Sequence, residues 1–176
     1  MMRWIKWAAF VAVVATAAHY AAIAALPNLV MWRVSSLMAT KGTNKIVHTD
    51  RATAASRTIV KPSPDLFYSH CLFDVTTQPL KIVTAAPAGT YWSVALYAAN
   101  TDNFYVLNDT RTKGRPATII LMGQGRSLPP QPEGTLIVTP PTAKGLVLFR
   151  TLIDDDARKA DIDKQRRTAA CEPLRP

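Results

Sequence analysis

The side chains that carry most enzyme chemistry are few and scattered in this sequence. Its three histidines are His19, His48 and His70, and no two of them stand at the spacing of zinc ligands. The segment Gly123-Gln-Gly125 lacks the lysine and the following helix of a phosphate-binding loop. No G-x-S-x-G nucleophile motif occurs either. The pattern therefore predicts no catalytic residue, no metal site and no cofactor.

One stretch of the chain concentrates polar and aromatic side chains. Asn, Asp and Thr side chains bond to nearby backbone and shape turns, which is one interpretation. The other interpretation is a polar, aromatic-walled pocket for a small ligand. Asp65, Asp74 or Asp102 could act as an acid or base only with a matched partner, and none is identifiable. The candidate ligand-binding residues are Tyr68, Tyr91, Trp92, Asn100, Asp102, Asn103 and Tyr105, with Tyr97 as a further contributor.

The two cysteines, Cys71 and Cys171, allow two interpretations. Outside the cytoplasm they could form a disulfide that ties the C-terminal tail to the body of the protein. Alternatively, Cys71 is a buried thiol among apolar neighbours and Cys171 is an unrelated exposed thiol.

The stretch Trp7 to Leu26 contains no Asp, Glu, Lys or Arg. About 20 apolar residues are enough to span a bilayer as a helix, which predicts a transmembrane anchor. Arg3 and Lys6 precede the stretch and predict an N-terminus in the cytoplasm and a body outside it. The alternative is a secretory signal peptide cleaved after Ala22-Ile23-Ala24, which would release an exported domain.

The formal net charge of +9 is unevenly distributed. A basic segment directly after a membrane span favours contact with anionic lipid headgroups, although a solvated basic face is an equally good interpretation. Nucleic acid is not an expected partner, because the body lies outside the cytoplasm and no nucleic-acid motif occurs. The basic segment comprises residues 33–61 and has one acid, Asp50. Its six bases are Arg33, Lys41, Lys45, Arg51, Arg57 and Lys61.

Beyond the anchor, the chain alternates short apolar runs with turn residues. Such spacing without intervening helices predicts a mainly β, antiparallel sandwich-like domain. Within the second run, Phe67, Ser69, Cys71, Phe73 and Val75 are expected to face the core. The predicted strands are Arg57–Lys61, Leu66–Val75, Leu80–Ala85, Thr90–Ala98, Asn103–Leu107, Ala117–Met122, Gly134–Thr139 and Leu146–Ile153.

Helices are expected at both ends of this β-domain. Pro27 is predicted to end the transmembrane helix, and Leu29–Thr40 to form a separate juxtamembrane helix before an irregular linker. Asp154 is expected to open a C-terminal helix and the tail after Thr168 to be loose. The predicted organisation is an anchor (1–27), a juxtamembrane helix and linker (28–56), a β-domain (57–153), and a C-terminal helix and tail (154–176).

Several short motifs resemble those of one bacterial family, the domain-of-unknown-function family numbered twelve fifty-four. They are Ser63–Ser69 (SPDLFYS), Phe73-Asp74, Pro79-Leu80, Gly89–Val94 (GTYWSV) and Thr101–Phe104 (TDNF). The resemblance implies a β-sandwich-like domain of an often exported protein. It also implies a partner, because larger relatives fuse this domain to a sister domain numbered twelve fourteen, and short relatives are often encoded beside a separate sister protein.

Two functions are consistent with these observations. The first is a non-enzymatic protein of the cell envelope, anchored in the inner membrane with its body in the periplasm, which binds a partner protein, an envelope polymer or lipid. The second is a small-ligand-binding or hydrolytic domain that uses the aromatic and polar cluster between Tyr91 and Tyr105.

Overall fold

The chain begins with one long helix, α1, which comprises the 37 residues Met2–Met38. The structure is a computed structural model that describes residues 2–57 and 61–174. At 1.5 Å per residue, α1 is about 55 Å long, well beyond the roughly 30 Å of a bilayer core. Within the described ranges, one helix is long and apolar enough to cross a membrane, and it is α1 with the turn that follows it. Its length and position fit a membrane anchor or a signal sequence.

Helix α1 continues through Pro27, so the predicted break at this residue and the separate juxtamembrane helix are wrong. Proline removes one backbone hydrogen bond and costs a helix about 3 kcal/mol. Contacts further along the helix oppose this cost, because Met31 is buried against Leu72 and Leu146 of the β-domain. A 3₁₀ turn, Ala39–Lys41, and Gly42 with φ of 100° then end the helix.

The larger of two sheets, sheet A, has five antiparallel strands in the order β1-β2-β8-β4-β5. The long central pair aligns Leu66–Asp74 with Lys144–Leu152 along the full length of both strands. The short strand β1 lies in the segment that was expected to be an irregular linker. The strands are β1 (Val47–His48), β2 (Leu66–Asp74), β4 (Trp92–Ala98), β5 (Asn103–Asn108) and β8 (Lys144–Leu152).

Sheet B has four strands in the order β7-β6-β3-β9. Strands β6 and β7 run parallel, and the other pairs are antiparallel. The strands are β3 (Leu80–Val83), β6 (Thr118–Leu121), β7 (Leu136–Val138) and β9 (Ala170–Pro173). The two sheets therefore confirm the sandwich-like fold, with one parallel pair in a mostly antiparallel structure. The predicted strand Arg57–Lys61 falls largely on residues outside the described ranges.

One apolar core lies between the sheets, and the predicted inward face of β2 is confirmed. Phe67, Ser69, Cys71, Phe73 and Val75 are all buried. The main core cluster also takes side chains from β3, β4, β6 and β8, including Leu80, Ile82, Val94, Leu96, Ile119, Leu121 and Val147.

The C-terminal segment is more ordered than its sequence indicates. Asp155 caps a 3₁₀ turn, Asp156–Arg158, and helix α3 follows at Lys159–Arg166. The expectation of a loose tail is wrong, because β9 pairs along β3 from Ala170 to Pro173. Strand β9 also carries Cys171, which forms a disulfide with Cys71 of β2. Apolar burial, backbone pairing and a covalent bond thus all fix this segment.

We expect the disulfide to be a major stabiliser of the sandwich. It joins strands of opposite sheets across a sequence separation of 100 residues. In the chain-entropy model, closing such a loop stabilises the folded state by about 4–5 kcal/mol. Urea unfolding of the Cys71→Ser/Cys171→Ser double variant should show a loss of this size. An unfolding free energy equal to that of the oxidised parent would contradict the expectation.

Candidate functional site

Three of the seven predicted ligand-binding residues lie at the turn between β4 and β5. The side-chain amide of Asn100 donates to Asp102 Oδ2 at 2.5 Å, and the backbone N–H of Asp102 donates to Asn100 Oδ1 at 3.3 Å. Thr101 between them has φ of 70°, and Asn103 begins β5 with its side chain exposed. These bonds are the turn chemistry that Asx residues supply. Asn100 and Asp102 are therefore engaged with each other.

The remaining predicted residues are dispersed over the sandwich. Trp92 is buried in the core, whereas Tyr91, the residue before it, is exposed. The Tyr68 hydroxyl, near the opposite edge of sheet A, accepts from the backbone N–H of Ser63 at 3.0 Å. Tyr97 lies on the outer face of sheet A and its hydroxyl accepts from Arg150 at 3.2 Å. Tyr105 is the predicted residue that lines a sizeable cleft. The ligand-binding role of the set stays a prediction.

This cleft of about 700 Å³ opens between β5 of sheet A and the β6–β7 side of sheet B. Strands β5 and β7 are the edge strands of their sheets. The cleft follows these edges and extends over the outer face of sheet B, because Lys81 and Ile120 lie on the face of that sheet opposite the core cluster. Its apolar lining includes Tyr105, Leu107, Ile120 and Leu136.

Three cationic side chains line the cleft: Lys81 of β3, Arg111 of α2 (Asp109–Thr112) and Arg115. Glu133 is the acid among the lining residues. None of the three cations forms an ion pair with any residue that the structure describes.

Arg111 is the best positioned of these cations. The Asn108 side chain caps α2 by accepting from the Arg111 backbone N–H at 3.1 Å, which fixes the start of this one-turn helix. The guanidinium Nη1 donates to the Val106 carbonyl at 2.6 Å. Its carbon lies 5.9 Å from the centroid of the Tyr105 ring, within range of a cation–π contact. One hydrogen bond and one ring thus orient a group that has five donor hydrogens.

Sequence reasoning missed the cations of this cleft, although a signal was present. Arg111, Lys113 and Arg115 form a run of alternating bases directly after the apolar strand β5. Lys81 stands between the two core residues Leu80 and Ile82, so its position on the opposite face follows from strand periodicity. Nothing local in the sequence indicates that Lys81 and Arg111 line the same cleft.

A second polar cluster surrounds Arg166 at the end of α3, and it is buried. Arg166 is 2% exposed and its guanidinium lies 4.3 Å from the Phe67 ring centroid. It forms a salt bridge with Asp163 and donates to Ser69 Oγ at 2.9 Å. It also donates to two backbone carbonyls, Tyr68 O at 3.0 Å and Thr49 O at 2.8 Å. Arg166 therefore joins α3 to β2 and to the segment after β1.

His48 extends this cluster toward the surface. Its Nδ1 lies 2.8 Å from Ser69 Oγ. Because Arg166 already donates to that oxygen, the serine hydroxyl can give its own hydrogen to an unprotonated Nδ1. Burial, followed by the charge of Arg166, lowers the pKa of His48 below its ordinary value. Ser69 and His48 resemble a nucleophile and its base in composition, but Ser69 is only 3% exposed and serves the Arg166 network.

The third feature is the contact between α1 and the outer face of sheet A. Met31 is buried between Leu72 and Leu146, with Met38 and Tyr97 packed alongside. Burial of a methionine side chain contributes about 1.5–3 kcal/mol. A groove of about 240 Å³ borders this contact and is lined by Trp32, Ser35, Ser36, Asp74 and Lys144 among others.

Asp74 is paired at the rim of this groove. Its Oδ2 lies 3.1 Å from Lys144 Nζ, and Oδ1 accepts from the Thr76 hydroxyl and backbone N–H. Burial alone would raise the pKa of Asp74, but the bonds from Thr76 and Lys144 lower it below its ordinary value. These contacts keep the carboxylate ionised, so they do not favour a role as a general acid.

Replacement of Arg166 should destabilise the protein strongly. Arg166→Met leaves the bonded oxygens of Ser69, Tyr68 and Thr49 without this donor. We expect a loss of about 2–4 kcal/mol in the free energy of unfolding, measured by urea titration.

Arg167→Gln is the matched control for this experiment. Arg167 also pairs with Asp163, at 2.9 Å, but its side chain is exposed. An exposed ion pair contributes at most about 1 kcal/mol. Equal losses in the two variants would contradict the assigned role of Arg166.

The stability should fall as the pH drops below about 6.5. Burial lowers the pKa of both His48 and His70 from the ordinary 6.5. The unfolded chain then takes up protons before the folded chain does, so the stabilisation is complete above pH 6.5 and decreases below it. Urea titrations across this range should show a shallower decrease for His48→Gln than for the parent. Identical pH profiles would exclude a contribution of His48.

Asp163 affects the free energy of unfolding at a lower pH than the histidines do. Burial alone would raise its pKa, but bonds from Arg167 and Arg166 lower it below the ordinary 3.8. Its stabilisation is therefore present above that value and is lost only as the pH falls further, which separates it from the histidine effect.

Comparison with solved structures shows the fold in another bacterial protein. The crystal structure of the VPA0106 protein from Vibrio parahaemolyticus superposes with a TM-score of 0.67 at 9% sequence identity. The match covers 84% of this chain and 35% of that chain. An uncharacterised protein from Burkholderia cenocepacia matches with a TM-score of 0.48 at 13% identity, over 66% of this chain and 33% of that chain.

This chain thus spans about a third of the length of the solved proteins that it resembles. No curated protein matches its sequence. The family model described as "Protein of unknown function (DUF1254)" matches residues 43–173, which include all nine strands described above. The resemblance of the short motifs is therefore confirmed, and the chain belongs to the DUF1254 family.

Proposed function

We propose that this protein is a single-pass protein of the bacterial inner membrane whose β-sandwich is a binding module on the periplasmic side. In this proposal α1 is retained as an anchor, with its N-terminus in the cytoplasm. The partner is a separate protein of the sister family, and lipid headgroups contact the segment after the span.

The aromatic residues of α1 support a spanning orientation. Trp7 and Trp32 are exposed and stand 25 positions apart, which corresponds to about 38 Å along a helix. A bilayer with its headgroup regions is about 40–45 Å thick, and tryptophan prefers its two interfaces. Arg3 and Lys6 favour the cytoplasm for the first end.

The burial of Met31 is the observation that carries the proposal. Only five positions separate Leu26, the end of the apolar stretch, from the residue that packs on sheet A. This distance is about 7–8 Å along a helix, so an α1 that spans the membrane holds the sandwich at its surface. Arg33, Lys41 and Lys45 are exposed in the same region, where they can attract anionic headgroups.

Cleavage after Ala24 would leave this packing in place but would remove the tether to the membrane. Met31 and Met38 contribute to the contact with Leu72 and Leu146, which α1 covers. If cleavage occurred after Ala24, the remaining helix would begin only a few residues before this contact and would have no tether.

The outer face of sheet A offers a surface for a membrane-associated partner. Helix α1 covers Leu72 and Leu146, but Val106 of the edge strand β5 is 41% exposed on the same face. The family resemblance suggests a sister-family protein for this place. The larger solved proteins of similar fold are consistent with a domain that has neighbours, because this chain spans only about a third of their length.

Photo-cross-linking in intact cells tests both parts of the proposal. A photoreactive residue would replace Val106, and a matched chain would carry it at Lys159, an exposed residue of α3. We expect a sister-family protein to cross-link at position 106 and not at 159. The protein should stay in the carbonate-washed membrane fraction with its N-terminal residues intact.

Two results would contradict the proposal. A soluble chain that lacks the first residues would show that α1 is a cleaved signal sequence. Absence of a cross-link at 106, or the same products at both positions, would exclude a specific partner on this face.

A further inference from the structure

We propose that the cleft between β5 and the β6–β7 side binds a small organic anion, in which a carboxylate or phosphate group is joined to an apolar or ring-shaped part. This inference goes beyond the proposed function, because the cleft lies along the β5 and β7 edges and the outer face of sheet B, and not on the outer face of sheet A.

The charge of the cleft selects for an anion. Lys81, Arg111 and Arg115 line it together with a single acid, Glu133. Glu172, which is the cross-strand neighbour of Lys81, and Asp109 of α2 are not lining residues. In the described part of the chain, the three cations have no carboxylate partner within ion-pair distance.

Several arginines elsewhere in the fold are already engaged by other groups. Arg51, Arg158, Arg166 and Arg167 all have carboxylate partners. Arg126 donates to the carbonyls of Thr76 and Thr77 through both terminal nitrogens. Arg111, in contrast, uses one nitrogen for Val106 O and retains donors for a further group.

The position of Arg111 is suited to an oxyanion. A guanidinium presents its donors in a planar fork that matches a carboxylate or phosphate, and such charge-assisted pairs are strong. The Val106 carbonyl and the Tyr105 ring hold this fork before a ligand arrives. Less side-chain entropy is then lost on binding than for a free surface arginine.

The shape and lining of the cleft indicate the rest of the ligand. Sites for small molecules have volumes of about 300–1,000 Å³ and combine apolar walls with a few polar groups. This cleft has about 700 Å³, and Leu107, Ile120 and Leu136 line it beside the cations. A free inorganic ion would leave the apolar surface and the Tyr105 ring unused.

Calorimetric titration of the full chain in nonionic detergent micelles tests the inference, with phenyl phosphate as the probe. Inorganic phosphate and benzyl alcohol separate the contributions of the charge and the ring. We expect saturable binding of phenyl phosphate, and weaker binding of each of the other two.

Three variants, titrated in the same micelles, are expected to weaken, strengthen or leave unchanged the affinity for phenyl phosphate. Arg111→Gln should weaken phenyl phosphate binding by at least about tenfold, because a charged hydrogen-bond donor is lost. Glu133→Gln should tighten it, since a like charge is removed. Lys159→Gln on α3 removes one positive charge far from the cleft lining and should leave the affinity unchanged.

Circular dichroism of each variant checks that the fold is retained. If Arg111→Gln fails to fold, Arg115→Gln takes its place, because the Arg115 side chain makes no hydrogen bond to a described residue. Absence of saturable binding, or equal affinities in the cleft variants and Lys159→Gln, would overturn the inference. Both outcomes are independent of the membrane topology and of any cross-link at position 106.

Discussion

The buried guanidinium of Arg166 holds together parts of the chain that have little else in common. It is bonded to the backbone at Thr49 and Tyr68, to the hydroxyl of Ser69, and to Asp163 on its own helix. A buried charge is costly unless every donor has a partner, so the positions of these groups are mutually dependent. The segment between α3 and β9 begins at this anchored residue, and the disulfide of Cys171 lies only five positions further on.

This arrangement makes the two sides of the sandwich physically different. On one side, Arg166 and the Phe67–Ile153–Ile162 cluster fix α3 to sheet A, and the disulfide joins β2 of sheet A to β9 of sheet B. On the other side, a cleft beside the edge strands β5 and β7 carries cations that have no carboxylate partner among the described residues. The disulfide and the buried ion pair of Arg166 therefore lie on the first side, whereas the second side carries the cations of the proposed anion site. Polar groups on the first side, such as Ser69 and His48, are used for packing.

The sequence predicted the elements that depend on local periodicity. Seven strands lie close to their predicted positions, and the inward face of β2 is correct because alternation along a strand is a local property. The errors arise where contacts between residues that are far apart in the chain determine the local structure. Pro27 disfavours a helix because it lacks a backbone N–H. Helix α1 nevertheless continues past it, and Met31 packs against Leu72 and Leu146. The tail after Thr168 has weak strand character, and it becomes β9 through pairing with Leu80–Val83.

The candidate site shows the same limit. The turn chemistry of Asn100 and Asp102 is visible in the sequence because only Thr101 separates the two residues. The cleft is not, because Lys81, Arg111 and Glu133 come from different strands and loops that only the tertiary fold assembles. Arg166 appears in the sequence as a helix C-terminal base, and its burial follows from contacts with residues about a hundred positions away.

In the proposed membrane orientation, the continuous helix α1 couples the orientation of the sandwich to the bilayer. A spanning helix adjusts to hydrocarbon thickness mainly by tilting. Met31 and Met38 fix the C-terminal end of this helix to sheet A. A change in the tilt of α1 relative to the bilayer would therefore rotate the whole sandwich relative to the membrane surface. Membrane thickness would then determine which faces of the domain point along the surface and which point away from it.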